Sequence, residues 1–177
     1  DMVKNGTVNL DDPVEKYLPP TVRVPTYNGN KITLEDLATH TSGLPDLPPR
    51  LINFTNIISE IMYPSTRQLL YESLSNITLT HAPGSNFSYS DMGMALLGDI
   101  LASRTGIPYE QLIIDKILDV LGMNSTRITL SDSTLLSRLA LGHDNGTEFP
   151  LPVFPNPAFP PGLAPAGSLH SSAYDLV

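Results

Sequence analysis

The sequence predicts a mainly α chain with long ordered loops, and three observations carry that reading. Apolar residues recur at helical spacing, most clearly from Asp91 to Arg104. Capping residues and Pro or Gly stops bracket one segment after another. Seven Pro and three Gly fall between His143 and Gly167, a loop composition with room for a short strand.

The elements follow in order. Asp11–Leu18 reads as a short helix, with Asp ahead of Pro13 at the first turn and Pro19-Pro20 as the stop. Thr33 caps a helix from Leu34 to His40, with Asp36 at the reciprocal position and Thr41-Ser42-Gly43-Leu44-Pro45 ending it. Thr55–Met62 and Ser65–Leu74 are helical segments separated by Pro64, the second with Ser65 and Gln68 at capping-box spacing. The Asp91–Arg104 helix carries Met94, Leu97 and Leu101 beside Ala95 and Ile100, with Gly106 past its end. Pro108 opens a helix to Val120 that Gly122 closes. A last helix begins after Ser171, with Asp175 in its first turn, and both chain ends read as cut. The long loop before it is expected to be functional or to pack over a site.

At 177 residues and 41% apolar content, the chain has material for one sizeable core, and no repeat or linker divides it. A net charge of −8 lacks the basic face that nucleic acid or an anionic membrane requires. No apolar run reaches the length of a membrane span. The absence of Cys removes thiolate nucleophiles and Cys-based metal sites, and His40, His81, His143 and His170 are too scattered for zinc. Neither a metal nor a cofactor is expected. Asn5, Asn53, Asn76, Asn86, Asn124 and Asn145 each begin an Asn-x-Ser/Thr acceptor, where chance gives about two. That excess predicts an exported protein, although a glycan at Asn86 would obstruct the corner described next.

The informative stretch is Phe87-Ser88-Tyr89-Ser90-Asp91-Met92-Gly93, which sets a phenol, a hydroxyl and a carboxylate together where a helix starts. Tyr89 placed there acts as a proton relay only beside a cation and a nucleophile. No Ser-x-x-Lys occurs in the sequence. Ser90 lacks an adjacent base and a nucleophile elbow and reads as a helix cap. Ser42 reads as a turn residue, and His170 as a surface or capping residue.

Four stretches, in order, resemble the serine β-lactamase and penicillin-binding-protein superfamily, its class C and esterase or D-aminopeptidase-like branch in particular. They are Val8 to Pro19, Ile32 to Pro45, Pro83 to Gly93, and Pro165 to Ser172. That family uses Ser-x-x-Lys for its nucleophile, Tyr-x-Asn on the opposite wall and a Lys/His-x-Gly strand to close the site. The resemblance implies that Tyr89 matches the Tyr and that Asp91 takes the Asn position. It places the Ser-x-x-Lys shortly before Asp1 and the closing strand well after Val177. Residues 1–177 would then be a single partial domain, the helical lobe of a two-lobed α/β fold with most of its sheet missing. Asp46, Leu47, Ala166, Gly167 and Ser168 would line the substrate cleft, with Gly167 admitting close backbone approach.

Asp91 departs from the family's Asn. A carboxylate only accepts hydrogen bonds and repels anions, which favours ester or peptide-like substrates over penicillins; equally, an acidic residue suits a helix N-terminus. The expectation is part of an exported serine acyl-hydrolase, acting through an acyl-enzyme on an ester, a D-amino peptide or a β-lactam amide. The fragment itself should be inactive and should self-associate through apolar faces left uncovered. The rival readings are a non-catalytic module that binds a peptide-like ligand or protein partner, and a proteolytic remnant.

Overall fold

The computed structural model describes residues 1–49, 67–140, 142–144, 147–149 and 161–177. Strands β1 (Thr26–Tyr27) and β2 (Asn30–Lys31) pair antiparallel around Asn28 and Gly29, whose φ values of 48° and 83° make a tight hairpin. Helix α1 (Leu34–Ala38) starts from a capping box. The Thr33 hydroxyl accepts from the Asp36 amide at 3.2 Å, and the Asp36 carboxylate accepts from the Thr33 amide at 2.9 Å. Two amides at the helix start are thereby satisfied.

Helix α2 (Arg67–Ser75) and helix α3 (Asp91–Thr105) follow. Helix α4 (Tyr109–Ile113) runs through a π turn (Ile114–Leu118) into α5 (Asp119–Leu121), which ends on Gly122 at φ 69°. Helix α6 (Ser133–Ser137) precedes β3 (Gly142–Asp144) and β4 (Thr147–Phe149), an antiparallel pair, and helix α7 (Ala164–Gly167) comes last. Among the described residues the strands form only these two two-stranded sheets.

Helix α3 organises the lobe. Met92, Ala95, Leu96 and Ile100 are fully buried, and Leu97 and Leu101 pack partly buried against the same core. A helix apolar on most sides needs cover on most sides, and α1, α2, α4 and α7 all pack on it. The core continues through Val14, Ile32, Leu34, Leu37, Leu44 and Leu74. Each such side chain contributes about 1.5–3 kcal/mol of burial. Gly98 is the closest approach: a Cβ built there would lie 2.4 Å from Pro165 Cγ and 3.0 Å from Tyr109 Cε2. Its lack of a side chain admits α7.

Several expected elements change shape. The first is a 3-10 turn over Val14–Tyr17 with no side-chain cap, because the Asp12 carboxylate accepts from Lys16 at 2.7 Å and from the Tyr17 hydroxyl instead. Helix α1 stops at Ala38, and His40 enters the left-handed region at φ 57°. The loop expected over His143–Gly167 holds β4, a 3-10 turn (Pro161–Leu163) and α7 among its described residues. The last helix is one 3-10 turn, Tyr174–Leu176. Helix α6, capped by Asp132, was not expected, since its two leucines are too few to show a period. The helix expected over Thr55–Met62, and Ser65, lie outside the described residues.

No described helix is long and apolar enough to cross a membrane. Nor do the described residues gather three or more His, Cys, Asp or Glu able to hold a metal ion.

Candidate active site

The end of α1 and the turn after it are laced to the chain entering α3. The Thr41 carbonyl accepts from the Gly84 amide at 2.9 Å and the His40 carbonyl from the Ser88 amide at 2.8 Å. The Ser90 hydroxyl donates to the Pro45 carbonyl at 2.6 Å and accepts from the Gly93 amide at 2.9 Å. The Asp46 carbonyl accepts from the Met92 amide at 2.8 Å, and its carboxylate approaches the Asp91 amide at 3.5 Å. These bonds satisfy the free amides of the first turn of α3. They also fix where Tyr89 emerges.

Tyr89 is 52% exposed and Asp91 only 9%. The phenol donates to Asp91 Oδ1 at 2.8 Å. The ring stacks on the His40 imidazole, centroids 4.7 Å apart at 30°, while Phe87 meets the same imidazole in an edge-to-face arrangement at 5.9 Å. The hydrogen bond to Asp91, then its negative charge, raises the phenol pKa above its ordinary value, with a further contribution from Asp46. In this setting Tyr89 is a weaker acid than a free phenol. Phenolate chemistry there requires a cation brought to the oxygen.

The nearest cations along the sequence are engaged elsewhere. Arg67 pairs with Asp99 at 2.5 Å, and Arg104 lies 5.7 Å over the Tyr17 ring. Ser90 is fully buried and caps α3, as its sequence position predicts. Ser42 is 1% exposed, and its hydroxyl accepts from the Leu44 amide two residues on, the turn role expected of it. His170, expected as a surface or capping residue, is half-buried, and its backbone pairs with Arg127.

The expected cleft residues divide. Asp46 is exposed and borders the Tyr89–Asp91 pair through the contacts above. Leu47 packs against the core. Ala166 and Gly167 lie on α7 and Ser168 caps its end, and Pro165 seats that helix against Gly98, about two turns along α3 from Asp91. Gly167 is exposed; Ser168 is buried, its hydroxyl without a hydrogen-bond partner among the described residues. The sequence reading missed His40. Its only local signal is a bulky ring just past a helix end, where Gly or Asn is usual.

A family model described as Beta-lactamase matches residues 1–177. Over 130 residues the chain is 45% identical to the D-alanyl-D-alanine-carboxypeptidase/endopeptidase AmpH of Escherichia coli (strain K12), covering 73% of this chain and 33% of that protein. A solved beta-lactamase/D-alanine carboxypeptidase from Yersinia pestis, complexed with citrate, is 31% identical with a TM-score of 0.75, covering 99% of this chain and 46% of that one. A D-stereospecific amidohydrolase from Streptomyces sp. shares the fold, with a TM-score of 0.77 at 24% identity, covering 99% of this chain and 53% of that one. The chain thus spans about a third of the length of this curated relative. Its helices around α3, with only short two-stranded sheets among the described residues, match the helical lobe of the β-lactamase fold. The chain belongs to the Beta-lactamase family.

Proposed function

We infer that this chain is part of a serine acyl-hydrolase in which Tyr89 relays the proton of an acyl transfer and Asp91 orients the phenol and the substrate. The carrying observation is the hydroxyl of half-exposed Tyr89 donating to Asp91 at the capped start of α3. The serine nucleophile and the cation that lowers the phenol pKa belong to sequence outside these residues, so the chain alone does not turn over substrate. Asp46 and the Ala166–Ser168 segment contribute to the acyl-binding wall, and Leu47 anchors the turn that presents Asp46. The acidic Asp46–Asp91 pair favours an ester or a D-amino peptide over an anionic β-lactam.

Export is supported by Asn5, Asn76, Asn86 and Asn124, the acceptors among the described residues, all of which are exposed. Ile117, Val120 and Leu121, 48%, 74% and 67% exposed, supply an apolar surface for self-association; light scattering that shows only monomer at all concentrations counts against that part.

The test uses the full-length protein with a chromogenic ester, a β-lactam and a D-Ala-D-Ala peptide. Tyr89→Phe is expected to lower kcat/KM about 100- to 10,000-fold, and a fluorophosphonate should label a serine outside residues 1–177. A full-length protein that binds such ligands without turnover or labelling is a binding module instead.

A further inference from the structure

We propose that His40 is a positioning residue that holds Tyr89 in reactive register, which deepens the hydrolase reading and rests on it. Three contacts from this one residue meet the segment carrying Tyr89. Its carbonyl accepts from the Ser88 amide at 2.8 Å, its Nδ1 accepts from the Ser90 amide at 3.2 Å, and its ring lies under the phenol at 4.7 Å. The two amides flank Tyr89 on either side, so the imidazole and its backbone clamp the residue whose oxygen must be placed.

The backbone supports the same conclusion. His40 sits at φ 57°, just beyond the Thr39 C-cap of α1, where Gly or Asn fits with less strain. A residue kept only to end the helix gains nothing from a ring there. The ring is useful because Tyr89 is 52% exposed and extends from irregular chain rather than from a helix. Its hydroxyl is held by Asp91, but one hydrogen bond at the tip leaves the ring free to swing about its own long lever. A flat partner beneath the ring removes that freedom, and catalytic groups need placement to within about 0.5 Å. Since Nδ1 accepts an amide hydrogen, the neutral imidazole carries its own proton on Nε2.

His40→Gly and His40→Asn separate this role from a structural one. Glycine relieves the positive φ while deleting both ring and acceptor. Asparagine tolerates the same φ and places Oδ1 where Nδ1 stood, keeping the Ser90 acceptor without the stack. In the full-length protein, His40→Gly is expected to lower kcat at least tenfold with KM within about twofold and no fall in Tm, and His40→Asn to recover part of the loss. Unchanged kcat in His40→Gly, or a change in KM alone, overturns the proposal. The Ser90 amide proton provides a readout independent of turnover. It should move upfield in His40→Gly and hold its position in His40→Asn, and an unmoved resonance in His40→Gly overturns the clamp even if no substrate is found. Wild-type protein with no turnover but with these shifts removes the hydrolase reading and leaves the clamp standing.

Discussion

Tyr89 and Asp91, two residues apart across the start of α3, share a 2.8 Å hydrogen bond in which the phenol is the donor. This bond raises the phenol pKa, chiefly through Asp91. The folded state therefore holds the proton more tightly than the unfolded chain. The resulting stability is fully present below the ordinary phenol value of about 10 and is lost as pH rises through the higher folded value. Titration at 295 nm, with Tyr89→Phe subtracted to assign the step, should show Tyr89 ionising late, and Asp91→Asn should bring it back toward the ordinary range. An unchanged step in Asp91→Asn would mean that the carboxylate does not govern the phenol.

Ser90 is a cap, and its replacement should read as one. Ser90→Ala removes the acceptor of the Gly93 amide and the donor to the Pro45 carbonyl. Losing such a cap costs about 1–2 kcal/mol, measurable by urea denaturation. Serine labelling of the full-length protein should persist in this variant. Loss of labelling with stability intact would make Ser90 the nucleophile.

Gly98→Ala should destabilise the lobe although alanine is the better helix former. The propensity gain is about 1 kcal/mol, whereas overpacking costs about 1–3 kcal/mol, and the added Cβ would sit 2.5 Å from Pro165 Cβ as well as against its Cγ. Repeating the substitution in a Pro165→Gly background should shrink the penalty, because the clash loses its partner. Equal penalties in both backgrounds would place the strain at Tyr109.

Asp175 ties the end of the chain to the segment after α5. Its carboxylate accepts from the Thr126 hydroxyl at 2.7 Å and from the Ser125 amide at 2.9 Å. The Thr126 bond is the main cause of a pKa below the ordinary carboxylate value. With a depressed folded pKa, the contribution is present above about pH 4 and lost as pH falls through the folded value. Asp175→Asn should flatten the acid limb of stability measured between about pH 2 and 6. A limb of unchanged slope would assign acid unfolding to other carboxylates.

Local relations were legible in the residues alone. The Thr33–Asp36 capping box, the Ser90 cap and the stops at Gly106 and Gly122 all lie within one helical turn of sequence, where geometry is fixed by backbone sterics and short hydrogen bonds; the sequence puts Tyr89 beside Asp91, and the structure adds the hydrogen bond between them. The Asn28-Gly29 hairpin carries an equally local signal, two adjacent turn-forming residues at positive φ. The first helix differs from its expected form because Asp12, a good cap by type, is taken by two competing partners, Lys16 and Tyr17.

Three relations that shape the site needed the closed chain: His40 beneath Tyr89, Asp46 at the first turn of α3, and Pro165 against Gly98. Residue type and spacing determine which segments become helices and where each starts and stops. Which face of one segment meets another follows from how the whole apolar surface is buried at once, a sum over distant residues that no local window contains.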